Sequence, residues 1–153
     1  MVVDSTRVIA LNKEMVQVSR DWVSNALFAA SPGFQAVLLS ALAYGLGDDD
    51  PVYLWFEVEN ATARITAFTP SHVVYVEGTA VAMTTAAVFS RKQLRSIRMV
   101  DVPNRLELVD GRIRLELGYR DAPEAFSLGG VHQTGPNYEA LQSLLEGLRQ
   151  DLG

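Results

Sequence analysis

Pro51-Val52-Tyr53-Leu54-Trp55-Phe56-Glu57-Val58 decides the fold, because the spacing of apolar residues changes here from the helical period to the strand period. Aromatic and β-branched residues dominate this stretch, as they do in β-strands. In a strand, Tyr53 and Trp55 share one face, and Leu54 and Phe56 share the other. Two apolar faces need two covering layers. We therefore expect one pair in a core between strands and the other pair beneath helices.

Turn residues divide the sequence after this stretch into further short extended runs. The predicted strands, all rich in β-branched or aromatic residues, are Ala63 to Phe68, Val73 to Val76 and Ala80 to Phe89. Asn60, Pro70 and Gly78 lie between the runs and are typical of tight connections. The pattern predicts an antiparallel meander.

A hairpin is predicted from Asn104 to Leu117, because Asp110-Gly111 supplies the positive φ angles of a type I′ turn. The predicted cross-strand pairs are Leu106 with Leu115, Leu108 with Ile113, Glu107 with Arg114, and Arg105 with Glu116. Apolar pairs and oppositely charged pairs then lie on different faces of the hairpin, which supports this register.

A helical hairpin is predicted before Pro51, over residues 1–47. Apolar residues recur three and four positions apart in its first helix, as in a helix that faces a core. This stripe consists of Val8, Leu11, Met15, Val18 and Trp22, and is widened by Ile9, Val16 and Val23. Asp4 is the predicted N-cap, or Asn12 if residues 5–11 are extended.

The second helix of this hairpin is predicted to begin at Ser31-Pro32, which is a capping residue followed by proline at the first helical position. Gly45 and Gly47 end it. No charged residue occurs between Trp22 and Gly47, but the longest strongly apolar part, Phe34 to Leu46, is shorter than the roughly 20 residues that span a bilayer. The segment therefore predicts a buried hairpin.

One more amphipathic helix is predicted at the end of the chain, beginning at Gly135-Pro136. Its apolar stripe consists of Tyr138, Leu141, Leu144, Leu145, Leu148 and Leu152. Helices therefore flank an uninterrupted run of six or seven strands, which predicts an α+β fold. We expect residues 1–47 and 48–153 to form one compact unit.

The part from Val52 to Leu152 resembles the pleckstrin-homology-like roll of bacterial proteins. Thr69-Pro70-Ser71-His72-Val73-Val74-Tyr75-Val76 resembles the second-strand phrase of that family. Phe89-Ser90-Arg91-Lys92-Gln93-Leu94-Arg95-Ser96-Ile97 resembles a later phrase of the same family. The resemblance implies a bent antiparallel barrel closed at one end by a C-terminal helix, with the N-terminal helical hairpin as an addition.

A second fold depends on the residues that follow Ser90. Ser90-x-x-Gln93 matches a capping box, so Arg91 to Met99 is alternatively a short helix. The order of elements would then be similar to the secretion-chaperone-like α+β fold, which implies binding of a protein partner.

Composition excludes several classes of function. The chain has 153 residues, of which 48% are hydrophobic, and no cysteine, so we expect a globular protein without disulfide or thiolate chemistry. The net charge is −5, yet eight of the 13 Lys and Arg residues lie between residues 91 and 120. An acidic chain with one basic strip is a poor general nucleic-acid binder, because such binding needs many phosphate contacts. The N-terminus predicts no secretory signal, so we expect a cytoplasmic protein.

The basic strip supplies the candidate binding site. The predicted hairpin neutralises Arg105 and Arg114. The candidate ligand-binding or partner-binding residues that it leaves unpaired are Arg91, Lys92, Arg95, Arg98 and Arg112. Their charge suits an anionic ligand, such as a lipid headgroup at a membrane surface.

No catalytic or cofactor motif is present in the sequence. His72 and His132 lie far apart and lack the companion groups of a histidine base, so we expect no enzyme activity. Asp48-Asp49-Asp50 lacks the alternating ligands of a calcium loop and predicts a solvated turn. We expect no metal and no cofactor.

Three functional hypotheses follow from the sequence. The first is a non-enzymatic protein-interaction or self-assembly module, because the chain carries more apolar helix surface than a small barrel needs. The second is binding of an anion or lipid headgroup through the basic strip. The third, which depends on the alternative fold, is partner binding like that of a secretion chaperone.

Overall fold

The computed structural model of this chain describes residues 5–100, 113–129 and 135–152. Within these ranges the fold is α+β, which confirms the predicted class. Four helices come first, seven antiparallel strands form two sheets, and one helix follows the last strand. The described helices are α1 Ser5–Val18, α2 Arg20–Ser24, α3 Ala26–Ala30, α4 Phe34–Leu46 and α5 Gly135–Asp151.

The strands form a four-stranded sheet and a three-stranded sheet. The first has the order β1-β2-β3-β4, and its strands are β1 Tyr53–Glu59, β2 Thr62–Phe68, β3 His72–Gly78 and β4 Thr85–Ser90. The second has the order β5-β6-β7, and its strands are β5 Leu94–Val100, β6 Arg114–Tyr119 and β7 Phe126–Gly129. Each paired strand is a neighbour in sequence, as expected for a meander.

The aromatic stretch of β1 lies between two cores, as predicted. Leu54 and Phe56 pack with the N-terminal helices. Phe56 meets Trp22 with its ring edge to face, at a centroid separation of 5.0 Å. Tyr53 and Trp55 point to the other side, where they pack with the second sheet and α5. Strand β1 is therefore covered on both faces.

The helical hairpin differs from its prediction in two places. The first helix is interrupted at Ser19, which has extended backbone angles, φ −142° and ψ 128°. The second long helix begins at Phe34 rather than Pro32, because Gly33 precedes it with a left-handed φ of 90°. Leu11, Met15 and Trp22 are buried as expected. The three residues predicted to widen the stripe are exposed instead, namely Ile9, Val16 and Val23.

The alternative helix over Arg91 to Met99 is wrong. Arg91–Gln93 forms one turn of 3₁₀ helix, and β5 begins at the next residue. The Ser90 side chain caps this turn by accepting a hydrogen bond from the Lys92 backbone N–H at 3.3 Å. Ser90 therefore caps a helix of only one turn, and the capping box is not closed, because the Gln93 side chain donates to Asp121 Oδ2 at 2.8 Å.

The predicted Asp110-Gly111 hairpin lies mostly outside the described residues. Its described side forms β6, whose register differs from the prediction. Leu115 lies opposite Met99 of β5 and Leu128 of β7, rather than Leu106. Strand β4 also begins later than predicted, at Thr85 rather than Ala80.

Among the described residues, no helix has the length and apolar character needed to cross a membrane.

Candidate functional site

Arg91 is a buried structural residue, so the prediction that it is unpaired is wrong. Only 9% of its surface is exposed. Its Nε donates to Asp151 Oδ2 of α5 at 2.8 Å, and its Nη1 donates to the Thr69 carbonyl at 2.9 Å. The guanidinium carbon lies 5.9 Å from the centre of the Phe68 ring. These contacts join α5 to the turn between β2 and β3.

The other described residues of the predicted basic site are exposed, unlike Arg91. Lys92 lies in the 3₁₀ turn, and Arg95 lies in β5. Arg98 is exposed as well, and its Nη1 lies 3.7 Å from Glu116 Oε2. Arg112 lies outside the described residues. In the described part of the chain, Arg91 is therefore buried, whereas Lys92, Arg95 and Arg98 lie at the surface.

A different surface is notable because it is apolar and lies at a sheet edge. Strand β4 is an edge of the first sheet, and among the described residues only β3 pairs with it. No charged residue occurs from Gly78 to Ser90. Edge strands of soluble proteins usually carry charges or proline that prevent further pairing. The edge strand β5 follows that rule with Arg95 and Arg98, whereas β4 does not.

The hydrogen-bond pattern identifies which residues of β4 face the free edge. The Arg91 N–H donates to the Ser71 carbonyl at 3.0 Å, in the same register that pairs His72 with Ser90. Hydrogen-bonded pairs alternate along an antiparallel ladder, so Thr85, Ala87 and Phe89 bond to β3. Backbone groups at the intervening positions, 86, 88 and 90, point away from the sheet.

Helix α4 borders the same edge with a second uncharged face. It lies next to β3 and β4. Its residues Leu39, Ala43 and Leu46 are buried in the helical core, which leaves the opposite flank free. Residues four and three positions apart share one helix face. That flank carries Val37 and Tyr44, which are 51% and 67% exposed, and between them Ala41, which is partly buried against the helical core.

Close packing of α4 on the sheet brings this flank to β4. Gly45 contacts Val74 of β3 so closely that a Cβ at position 45 would meet Val74 Cγ1. Val74 lies directly opposite Val88, so both side chains lie on the helical face of the sheet. Val88 is nevertheless 51% exposed. We call Val37, Ala41, Tyr44, Ala86 and Val88 together the α4–β4 edge surface.

A polar cavity of 280 Å³ opens elsewhere, between β1 to β3 and the β6–β7 region. Its charged groups contact one another. Arg64 bonds to Glu59 at 3.0 Å and lies 3.6 Å from Glu77. The Tyr75 hydroxyl donates to Glu77 at 2.7 Å, and burial together with this carboxylate raises the pKa of Tyr75. Because these charges satisfy one another, we assign the cavity a structural role.

The histidine that the structure describes lies at the surface. His72 is exposed at the start of β3, where its Nδ1 lies 2.8 Å from Ser71 Oγ. His132 lies outside the described residues. In the described ranges, no three His, Asp or Glu side chains are placed together so that they could hold a metal ion.

Comparison with known proteins gives no family for this chain. No protein-family model, no curated protein and no solved structure matches it. Function is therefore inferred from the residues and their geometry.

The α4–β4 edge surface was not predicted from the sequence. The sequence offered only a weak signal, since Trp22 to Gly47 and Gly78 to Ser90 are both uncharged, but so are Ile65 to Val76 and Ala125 to Tyr138. About 45 residues separate the centre of α4 from the start of β4, so only the fold brings these two elements to one surface.

Proposed function

We propose that this chain is a non-enzymatic protein-interaction module that binds an uncharged, extended polypeptide segment along β4. The observation that carries the proposal is the uncharged edge of β4, which pairs only with β3 among the described residues and lies beside the apolar flank of α4. A strand added to a sheet edge gains main-chain hydrogen bonds, and its alternate side chains enter neighbouring pockets.

Two features support an apolar segment as the occupant. An added strand would place every second side chain on the helical face, against Val88 and the α4 flank. Tyr44 supplies an amphipathic ring there, and such rings are enriched at protein interfaces. A charged side chain at this position would lose hydration without gaining a partner, because the surface itself carries no charge.

The arrangement of elements supports a fold proposal as well. Four strands, then three strands, then one helix is the order expected of a pleckstrin-homology-like roll, and the helices α1 to α4 are the added part. We include this assignment in the proposal. The structure adds no specific observation in favour of anion binding through the basic strip, or of partner binding like that of a secretion chaperone.

Val88→Pro tests strand addition directly. The Val88 N–H points to the free edge, so proline there removes an outward donor and leaves the ladder with β3 unbroken. Val88→Thr is the matched control, because it keeps the N–H and the β-branch. The probe is a fluorophore-labelled peptide of alternating threonine and valine, with an amidated C-terminus, and the assay is fluorescence anisotropy.

We expect the wild-type chain and Val88→Thr to bind this probe, and Val88→Pro to bind at least about tenfold more weakly. Circular dichroism verifies that both variants are folded. The proposal is refuted if the wild-type chain is a monomer and does not bind the probe, or if folded Val88→Pro binds it as well as the monomeric wild-type chain does.

A further inference from the structure

We infer that the strand bound at β4 is β4 of a second copy of this chain, in a symmetric dimer that continues the sheet across the interface. This inference rests on the proposed function, because it names the occupant of the same surface. It is carried by the symmetry of antiparallel pairing, by the distribution of charge and by the position of α4.

Antiparallel pairing of a strand with its own copy produces a closed two-fold dimer. Each copy offers the same outward N–H and C=O groups, so the donors of one strand meet the acceptors of the other. Pairing Val88 with Val88 of the other copy also pairs Ala86 with Ser90. The outward backbone groups of Ala86, Val88 and Ser90 then all pair with β4 of the other copy. A two-fold axis at Ala87 would instead place Ser90 opposite residue 84, which precedes β4.

Charge favours a second copy as the occupant. A two-fold axis brings each group close to its own equivalent, so a charged residue near the axis would face a like charge. No such residue occurs in β4, in the loop before it or in α4. Like charges directly opposite each other destabilise a strand pair, and this surface has no charged residue that could cause such repulsion.

The position of α4 fits the same arrangement. Neighbouring strands lie about 4.8 Å apart, and α4 lies over β3 and β4. Pairing of the two β4 strands would therefore place the two copies of α4 about 10 to 13 Å apart. A helix with its side chains is about 10 to 12 Å across, so Val37 and Tyr44 of the two copies would meet over the joined sheet.

The first test is the mass in solution, measured by sedimentation equilibrium over the micromolar concentration range. We expect the full-length chain to approach twice 16.8 kDa, and Val88→Pro to remain at 16.8 kDa. A chain that stays monomeric throughout refutes the dimer. If that monomer still binds the alternating peptide at β4, the proposed function stands and only the dimer is wrong. If the monomer does not bind the peptide either, the dimer and the proposed function are both wrong.

A cysteine variant tests the register without depending on the proline variant. The chain has no cysteine, so Val88→Cys introduces a single thiol. Hydrogen-bonded partners in an antiparallel pair have Cα atoms about 5.5 Å apart, within the range that a disulfide spans. Val23→Cys is the matched control, because Val23 is 64% exposed on α2, outside the α4–β4 edge surface.

We expect mild oxidation to cross-link Val88→Cys at least about tenfold faster than Val23→Cys at equal concentration, because the dimer holds the two thiols together. Equal rates for the two variants would mean random collision and would refute the pairing about Val88, whatever the behaviour of Val88→Pro.

Discussion

The ion pair between Arg91 and Asp151 makes a strong prediction about stability. Arg91→Ala removes two hydrogen bonds made by a charged donor, to Asp151 at 2.8 Å and to the Thr69 carbonyl at 2.9 Å. The Asp151 side chain is only 18% exposed, so its carboxylate would be left largely buried without its cation.

The expected loss follows from these contacts. Hydrogen bonds to charged groups contribute about 1.5 to 3 kcal/mol each, and breaking a buried pair destabilises by about 3 to 5 kcal/mol. The exposed fraction of Asp151 allows some rehydration, so the lower end applies, and we expect about 3 kcal/mol. For a chain of this length, that loss lowers Tm by roughly 6 to 12 °C.

Urea unfolding of the wild-type chain and Arg91→Ala measures this loss. Lys92→Ala is the matched control, because Lys92 is the adjacent cation but is exposed, and its removal should change stability by less than about 0.5 kcal/mol. A double-mutant cycle with Asp151→Ala isolates the pair, with an expected coupling of about 1 to 3 kcal/mol. The reasoning fails if Arg91→Ala unfolds at the wild-type urea concentration, or if the coupling is near zero.

Two further predictions concern backbone strain and pH. Asn60 and Ala61 turn β1 into β2 with positive φ angles of 51° and 63°, so Ala61→Gly should raise the free energy of unfolding by about 0.5 to 1 kcal/mol, seen as a higher urea midpoint at unchanged slope. An unchanged or lower midpoint would contradict the assigned strain. Burial raises the pKa of Tyr53 and of Tyr119 well above the usual value near 10. The unfolded chain therefore loses these protons first, and stability that is complete below pH 10 falls above it by about 1.4 kcal/mol per pH unit for each tyrosine. Tyr119→Phe should remove one such contribution from urea unfolding measured between about pH 9 and 11, and an unaltered pH dependence would count against its burial.

Local patterns in the sequence predicted the central strands well. In β1 to β3 apolar residues are buried on both faces, so nearly continuous apolar runs mark these strands whatever packs above and below them. The break at Ser19 had no comparable signal, because the apolar spacing continues through it to Trp22. A helix interruption of this kind depends on how the chain must turn to cover the sheet.

The unpaired state expected for Arg91 was mispredicted for a related reason. Charge counting cannot distinguish Arg91 from Arg95, since both lie in the same short basic run. The difference arises from Asp151, which is 60 residues away in sequence and reaches Arg91 only through the packing of α5. Pairing over such a distance leaves no trace in local spacing.

Once the sheet order is known, the positions of charged residues nevertheless indicate which edge strand can pair with another strand. Strands β4 and β5 are both edges, and they are separated by a single 3₁₀ turn, yet their compositions differ sharply. Arg95 and Arg98 on β5 would repel a copy of that strand and would have to be desolvated by any other. On β4 and α4 the same protein places only neutral residues, in two segments that are distant in sequence. The helix α4 and the strand β4 thus form one continuous neutral surface, and the simplest explanation of this surface is that another strand pairs with the edge of β4.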